Sequence, residues 1–313
     1  MTLEETLNSY GSKKKPFFFC INFDMTQWEV HTLKDLPSNI KYEINHNLSK
    51  STSKYLLEKT PINKTLYKNK FLKLQEEITN GNTYLTNLTT QTNIKTKLSL
   101  DELYESSNAK FKLYFKDKFI CFSPERFIKC SDNKIFTYPM KGTIDASIPN
   151  AKEKILNNIK EKAEHTMVVD LLRNDLSIVS KDVQVTKFRY CETIKAGEKE
   201  LIQVSSQIQG KLSNDWHNNI GNILTSLLPA GSITGTPKKQ TVQIIKDIEA
   251  HQRDFFTGIF GVFDGQNLDS AVMIRFIEQN NKNELTYKSG GGITCDSQLN
   301  NEYQEMIDKV YIP

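Results

Sequence analysis

The 313-residue sequence has few of the features that mark secreted or membrane proteins. Its five cysteines form no C-x-x-C pair and are odd in number, which argues against a disulfide framework. No apolar run approaches the roughly 20 residues that cross a bilayer, and the polar N-terminus shows no signal peptide. We therefore expect a cytoplasmic protein with reduced thiols and no membrane partner.

The net charge is also small, because 41 basic and 37 acidic residues leave a formal charge of +4. The basic runs at 13–15 and 64–73 are short, rich in lysine and not interleaved with aromatic residues, so no nucleic-acid binding is expected. A weak preference for anionic ligands remains. With 38% hydrophobic residues, the chain fits one large domain over residues 1–313, with residues 1–15 as a frayed lead-in.

Local patterns predict both strands and helices. The run "FFFCINF" (17–23) predicts a buried strand. A helix is predicted to begin near Asn150, with Glu153 completing a capping box. The stretch "SGGGIT" (289–294) predicts a loop, followed by a final helix from about Ser297.

One arginine stands inside a further predicted strand, residues 268–277. Alternation puts Arg275 on the same face as Met273 and Ile277. An arginine is rarely buried without a partner, so it meets either a structural carboxylate or an anionic ligand bound by two N–H groups. The residues alone leave both alternatives open.

Four glutamates form two pairs with helical spacing. Glu161 and Glu164 are three residues apart on one predicted helix, and Glu302 and Glu305 are three apart on another. Residues at i and i+3 share a helix face. If the two helices face each other, the carboxylates make an oxygen-ligand site for a hard cation such as Mg²⁺. The alternative is that each pair solvates the outside of its helix.

Two glycine-containing stretches could hold an anion. Amide groups of "SGGGIT" can converge on a carboxylate or an oxyanion, although glycine runs also simply turn the chain. The stretch "GSITGTPKK" (231–239) departs from the Walker pattern, because Gly231 and Gly235 are four apart and Pro237 intrudes. Nucleotide binding is therefore rejected, and only a helix N-terminus beside an anion remains.

A lysine lies in "TYPMKGTID" (137–145), where a predicted strand gives way to a loop, and taken alone it is an ordinary surface lysine. The wider sequence, however, resembles the chorismate-utilising enzymes, which include anthranilate, isochorismate, salicylate and aminodeoxychorismate synthases. The resemblance implies an α+β fold, a single large domain of two stacked antiparallel sheets with helices outside. The matching stretches are "GNTYLTNL" (81–88), "SPERF" (123–127), "PMKGT" (139–143), "AEHTMVVDLLRNDL" (163–176), "GSITGTPK" (231–238), "MIRF" (273–276) and "SGGGITCDSQLNNEYQEMIDKV" (289–310), so core motifs span 81–310.

Lys141 separates the branches of this family. Anthranilate, isochorismate and salicylate synthases carry alanine at its place, whereas lysine in P-x-K-G-T is typical of aminodeoxychorismate synthases. The resemblance thus implies amination of chorismate at C4 with ammonia, giving 4-amino-4-deoxychorismate for 4-aminobenzoate and folate synthesis. Lys141 would be a covalent nucleophile at C2, and Glu125 would transfer the proton. Attack requires a neutral amine, which burial or a neighbouring cation favours.

The same resemblance implies the remaining site residues. Glu164 and Glu305 would bind Mg²⁺ directly, while Glu161 and Glu302 would hold metal-bound waters. Arg275 would bind the enolpyruvyl carboxylate of the substrate. The full set of implied substrate-binding residues is Gly142, Thr143, Gln203, Arg275, Gly290, Gly291, Gly292 and Lys309.

Three positions depart from the family pattern, and one of them, Ala250 in place of a proline after Glu249, is expected to be structural. Gln203 stands where a histidine near C4 is usual, and Phe256 stands where a tyrosine often contacts the enolpyruvyl end. No cysteine lies in a G-x-C-x-G elbow, so ammonia is expected from solution or from a separate glutamine amidotransferase, and 4-aminobenzoate from a separate aminodeoxychorismate lyase. The alternatives are anthranilate synthase component I, an isochorismate or salicylate synthase-like enzyme, and a catalytically impaired binding subunit.

Overall fold

The computed structural model describes residues 1–45, 57–196 and 199–313, with side chains outside 194–199. Its helices are α1 (Leu3–Ser12), α2 (Lys64–Thr79), α3 (Leu100–Ser106), α4 (Ala151–Asn157), α5 (Ile159–Val179), α6 (Ile220–Leu227), α7 (Lys238–Glu249) and α8 (Leu299–Asp308). Its strands are β1 (Phe17–Ile21), β2 (Trp28–Thr32), β3 (Ile40–Ile44), β4 (Glu58–Thr60), β5 (Leu85–Lys95), β6 (Phe111–Phe115), β7 (Phe119–Ser123), β8 (Arg126–Ser131), β9 (Lys134–Thr137), β10 (Met140–Asp145), β11 (Lys181–Ala196), β12 (Lys199–Lys211), β13 (Gly235–Thr236), β14 (Ile259–Phe263), β15 (Leu268–Val272), β16 (Phe276–Gln279) and β17 (Leu285–Ile293). Within these ranges, no helix has the length and apolar character needed to cross a membrane.

The strands form two antiparallel sheets. The first has the order β10-β12-β9-β8-β15-β14-β1-β2, with β11 also paired to β12. The second has the order β13-β5-β17-β16-β7-β6-β3, with β4 also paired to β5. Neighbouring pairs such as β1 with β14 and β17 with β5 are antiparallel along their whole registers.

Strand β1 shows how the layers pack. All five of its residues are buried, as the apolar run predicted. Because side chains alternate along a strand, Phe18 and Cys20 pack with Phe111 of the second sheet. Phe17 and Phe19 instead share a core with residues of the helices α5 and α6. The first sheet therefore lies between the second sheet and a helical layer, and the implied fold of two stacked sheets with outer helices is confirmed.

The expectation of a frayed N-terminus is wrong. Helix α1 begins with a capping box, in which the Thr2 hydroxyl accepts the Glu5 amide and the Glu5 carboxylate accepts the Thr2 amide. Leu3 and Leu7 are buried in the core. Gly11 lies so close to the 3-10 turn at 216–219 that a Cβ atom there would come within 2.1 Å of a backbone oxygen. Packing of Leu3 and Leu7 against the core holds α1 in place.

The predicted helix from Asn150 is two helices, and the predicted capping box is absent. Asn150 has a left-handed backbone with φ of 58° and makes no side-chain cap. The helix is interrupted at Asn158, whose side chain accepts a hydrogen bond from the Glu161 amide and so caps the start of α5. A second asparagine thus provides the cap, and it places Glu161 in the first turn of α5.

The strand predicted over 268–277 is also interrupted. Strand β15 pairs with β14 and β8 in the first sheet, whereas β16 pairs with β7 and β17 in the second. Arg275 lies at the crossover with φ of 54°, so the predicted shared face with Met273 and Ile277 is wrong. The predicted loop at 289–294 is wrong as well, because most of it continues β17 opposite β5.

Candidate active site

Strand β10 carries Lys141 into the interior beside β12. The pairing of β10 with β12 shifts register between Met140 and Thr143, which marks a bulge. Gly142 lies inside this bulge with φ of 84°, a conformation that glycine adopts without strain. Bulges re-aim side chains next to functional sites. Lys141 therefore lies within a bulged strand, where a loop was predicted.

The amine of Lys141 points at residues that the sequence singled out separately. Its Nζ lies 4.0 Å from Glu164 Oε2 on α5, and the Lys141 side chain is only 26% exposed. A Cβ atom added at Gly292 of β17 would lie 3.1 Å from the same Nζ. An ordinary solvated lysine would have no such surroundings. The structure therefore places the amine between α5 and the glycine-rich end of β17.

Gly142 and Thr143 continue the same edge. A Cβ atom at Gly142 would lie 2.9 Å from Glu161 Oε2, so the first glutamate of α5 contacts the bulge. Thr143 is exposed and pairs with Gln203 of β12. Thr143 and Gln203 thus lie side by side on neighbouring strands.

Glutamates of α8 lie against β17, the strand whose Gly292 is next to Lys141. A Cβ atom at Gly291 would lie 3.5 Å from Glu302 Oε2 and 3.6 Å from both Glu305 Oε1 and Lys309 Nζ. Glu302 is buried and accepts a hydrogen bond from Ser297 Oγ at 2.8 Å. Lys309 Nζ contacts Glu305 Oε1 at 2.6 Å and donates to the Gly290 carbonyl at 2.8 Å.

The two pairs of glutamates are electrostatically coupled. Burial raises the pKa of Glu161, and the neighbouring Glu164 carboxylate raises it further. Burial likewise raises the pKa of Glu302, with repulsion from Glu305 and Glu164. Burial opposes ionisation of Glu305 too, but Lys309 and the other lysines outweigh it and lower its pKa. This pattern indicates several carboxylates that face one region from two helices.

The donor set of this region suits a hard divalent cation, since all four side chains offer carboxylate oxygens. Among the described residues, no three acidic, histidine or cysteine side chains are grouped closely enough to hold a metal ion. Lysines also lie against these carboxylates. Lys160 Nζ lies 3.7 Å from Glu164 Oε1, and this lysine was not singled out by the sequence.

Glu125 lies at the join of β7 and β8. Its Oε1 accepts a short hydrogen bond from Ser232 Oγ. Burial raises the pKa of Glu125, while Ser232 and the cations Lys141, Arg275 and Lys309 reduce that rise. Because these cations act on it together, Glu125 belongs to the same site as Lys141. Ser232 lies in the "GSITGTPK" stretch that matches the family, but the sequence analysis did not predict that its hydroxyl would contact Glu125.

Arg275 has no carboxylate partner among the described residues. It is partly buried, its guanidinium interacts with the Tyr311 hydroxyl, and its Nε is buried without a hydrogen-bond partner. Its guanidinium carbon lies 5.3 Å from the ring centroid of Tyr311, which follows the last recognised motif. Burial lowers the pKa of Lys309, and the positive charge of Arg275 lowers it further, whereas the carboxylate of Glu305 acts in the opposite direction. The alternative of a structural carboxylate partner for Arg275 finds no support.

Comparison with known proteins identifies relatives of this chain. A protein 45% identical over 98% of this chain and 96% of its own length is an "uncharacterized PabA-like protein" of Pasteurella multocida (strain Pm70). Aminodeoxychorismate synthase component 1 of Escherichia coli (strain K12) is 32% identical over 78% of this chain and 56% of its own length. Anthranilate synthase component I from Streptococcus pneumoniae TIGR4 superposes with a TM-score of 0.69 at 26% identity, covering 84% of this chain and 60% of that one.

The family model described as chorismate binding enzyme matches residues 17–312. That range includes both sheets, the bulge that carries Lys141, and the two helices that carry the glutamate pairs. The chain therefore belongs to the family of chorismate binding enzymes.

Proposed function

We propose that this protein aminates chorismate at C4 with ammonia and releases 4-amino-4-deoxychorismate and water. The supporting observation is the Lys141 amine, held 4.0 Å from Glu164 and beside Gly292 within the site. A nucleophilic amine at this place can bond to the substrate ring, which a methyl group could not do. The similarity to aminodeoxychorismate synthase component 1 of Escherichia coli supports the same assignment.

In the first step, the neutral Lys141 amine attacks C2 of the ring. The N–C2 bond forms, the ring double bonds shift, and the C4–O bond breaks. The departing hydroxyl takes a proton from the Glu125 carboxyl group and leaves as water. The raised pKa of Glu125 keeps this carboxyl protonated at higher pH than an exposed glutamate, which suits a proton donor.

In the second step, ammonia attacks C4. The double bonds shift back and the C2–N bond breaks, so Lys141 leaves as the neutral amine because the adduct nitrogen kept both of its protons. The new C4 ammonium group then gives one proton to the Glu125 carboxylate. This restores both side chains, and the sum is chorismate plus ammonia giving 4-amino-4-deoxychorismate plus water.

Substrate binding follows from the cations around the site. Arg275, with its unpaired Nε, would bind the enolpyruvyl carboxylate. Lys309 and the backbone of Gly290 to Gly292 would lie along the ring carboxylate. This stretch of β17 lies beyond Lys288, where the pairing with β16 ends. Gln203 and Thr143 can hydrogen-bond to the ring substituents. Binding a dianion at both ends fixes C2 over the lysine amine.

Mg²⁺ belongs to the same proposal. Glu164 and Glu305 would bind it directly, with Glu161 and Glu302 holding its waters, and it would neutralise the carboxylate cluster and the ring carboxylate. Burial first, and neighbouring carboxylates second, raise the pKa values of Glu161 and Glu302, and a divalent ion would offset both the desolvation of these charges and their repulsion. Ammonia would come from a separate glutamine amidotransferase, and a separate lyase would form 4-aminobenzoate in the cytoplasm.

Product identification tests the proposal. The purified protein is incubated with chorismate, Mg²⁺ and ammonium, with and without aminodeoxychorismate lyase. We expect 4-aminobenzoate only when lyase is added, and loss of the product in Lys141→Ala. Direct appearance of anthranilate, isochorismate or salicylate would assign another reaction of the family, and no consumption of chorismate would indicate a binding subunit.

A further inference from the structure

Arg275 is held in a fixed position by its backbone and by a tyrosine that follows the last helix. The Arg275 carbonyl accepts the Phe122 amide at 3.1 Å, and its positive φ fixes the direction of the side chain. The ring of Tyr311 lies under the guanidinium, 5.3 Å from its central carbon. The guanidinium therefore has one face covered by an aromatic ring, a favourable cation–π geometry.

The backbone around Tyr311 is also held in place. Its backbone carbonyl accepts a hydrogen bond from the buried Tyr287 hydroxyl at 3.0 Å. Val310 before it is fully buried, and the Pro313 carbonyl after it accepts the Asn108 amide at 3.0 Å. Three anchors within four residues hold the backbone, while the Tyr311 side chain is 37% exposed. The phenol is thus positioned at the site and open to a ligand.

Protein groups use only part of the hydrogen-bonding capacity of this corner. The Arg275 guanidinium interacts with the Tyr311 hydroxyl oxygen, which leaves the hydroxyl proton available to a ligand, and Arg275 Nε is buried without a hydrogen-bond partner. A buried donor without a partner is destabilising, and an anion bound there would remove that cost. Phe256, the aromatic residue that packs on Phe276 beside Arg275, is buried and carries no hydroxyl.

We infer that Tyr311 is a substrate-positioning residue, whose hydroxyl donates to the same substrate carboxylate that Arg275 binds. The inference rests on the proposed function, because the carboxylate is that of the chorismate enolpyruvyl group. A phenol and a guanidinium on one carboxylate fix its plane as well as its place. That orientation directs the ring toward Lys141.

The test compares Tyr311→Phe, which keeps the ring over Arg275 and removes only the hydroxyl, with the wild-type protein. We expect KM for chorismate to rise about tenfold with kcat within twofold, since a bond present in both bound and reacting states changes only binding. Calorimetric titration with chorismate in the absence of ammonium should show the same tenfold weakening. Tyr303→Phe is the matched control, because its hydroxyl donates to the Ile62 carbonyl at 2.8 Å away from Arg275.

A double variant identifies the shared ligand. If both groups bind one carboxylate, Tyr311→Phe should weaken chorismate binding less in an Arg275→Lys background than in the wild type, and this coupling should exceed the coupling in thermal stability of the unliganded protein, which reports the direct Arg275–Tyr311 contact. Wild-type affinity in Tyr311→Phe, with weakening only in Tyr311→Ala, would show that the ring supports Arg275 sterically and would overturn the inference alone. A wild-type protein that neither binds nor converts chorismate would overturn the proposed function together with it.

Discussion

Replacing Gly292 with alanine tests whether the position of the Lys141 amine sets the rate. The added Cβ atom would lie 3.1 Å from Lys141 Nζ and 3.1 Å from Leu85 Cδ1. Both contacts are with the ends of flexible side chains, which can move by a few tenths of an ångström. Since alanine is favoured over glycine in a strand by about 0.5–1 kcal/mol, we expect the free energy of unfolding to change by less than about 1 kcal/mol.

The rate should respond far more strongly. A displacement of about 1 Å at a reacting group can cost about a hundredfold, so a shift of a few tenths of an ångström predicts a fall in kcat of about tenfold. The assay measures kcat as 4-aminobenzoate formed in the presence of excess lyase, and stability by thermal unfolding. Wild-type kcat in Gly292→Ala would refute the placement of this amine at the reacting carbon.

Gly290→Ala is the contrasting variant on the same strand. Its Cβ atom would lie 2.4 Å from the Leu88 backbone oxygen and 2.8 Å from Thr89 Cγ2. A backbone atom in a paired strand cannot yield, so this variant should lower the melting temperature by several degrees or more. The two substitutions are chemically identical, and they differ because the added Cβ atom meets backbone at Gly290 but only side-chain atoms at Gly292. Equal stability of both variants would contradict the close approach of β5 and β17.

Two further predictions concern the proton donor and the metal. Ser232→Ala removes a hydrogen bond that lowers the pKa of Glu125, so the pKa of Glu125 should rise further. In the pH profile of kcat, the fall in activity with increasing pH should then occur at higher pH, and an unchanged profile would exclude Glu125 as the proton donor. Glu305→Gln should raise the Mg²⁺ concentration for half-maximal activity at least tenfold, and weaken Mg²⁺ binding in calorimetry of the protein without substrate; an unchanged titration would remove Glu305 from the metal site.

Patterns that depend on near neighbours in the chain were predictable. The apolar run at Phe17–Ile21 forms a fully buried strand, because burial on both faces needs no more than continuous apolar residues. The spacing of Glu302 and Glu305 puts both carboxylates against Gly291, as an i, i+3 pair on one helix face requires. Family resemblance supplied the order of the motifs and hence the stacked sheets.

Features set by contacts between distant segments were not predictable. Alternation continues through residues 268–277, so the sequence gives no sign that Arg275 leaves one sheet and enters the other. The glycines at 290–292 look like a loop because glycine is rare in strands. Here the neighbouring strand approaches so closely that a Cβ atom at Gly290 would meet the Leu88 carbonyl, and only the pairing with β5 reveals it.

Charge balance explains why the net charge of +4 said little about the site. Four carboxylates from α5 and α8 meet cations from three other places: Lys141 on β10, Lys309 after α8, and Arg275 between the sheets. Opposite charges cancel in the sum but not in space. Lys309 lowers the pKa of Glu305, while Glu161 and Glu302 keep raised pKa values. Burial and neighbouring carboxylates thus make Glu161 and Glu302 harder to ionise than Glu305, although the net charge of the whole chain is small.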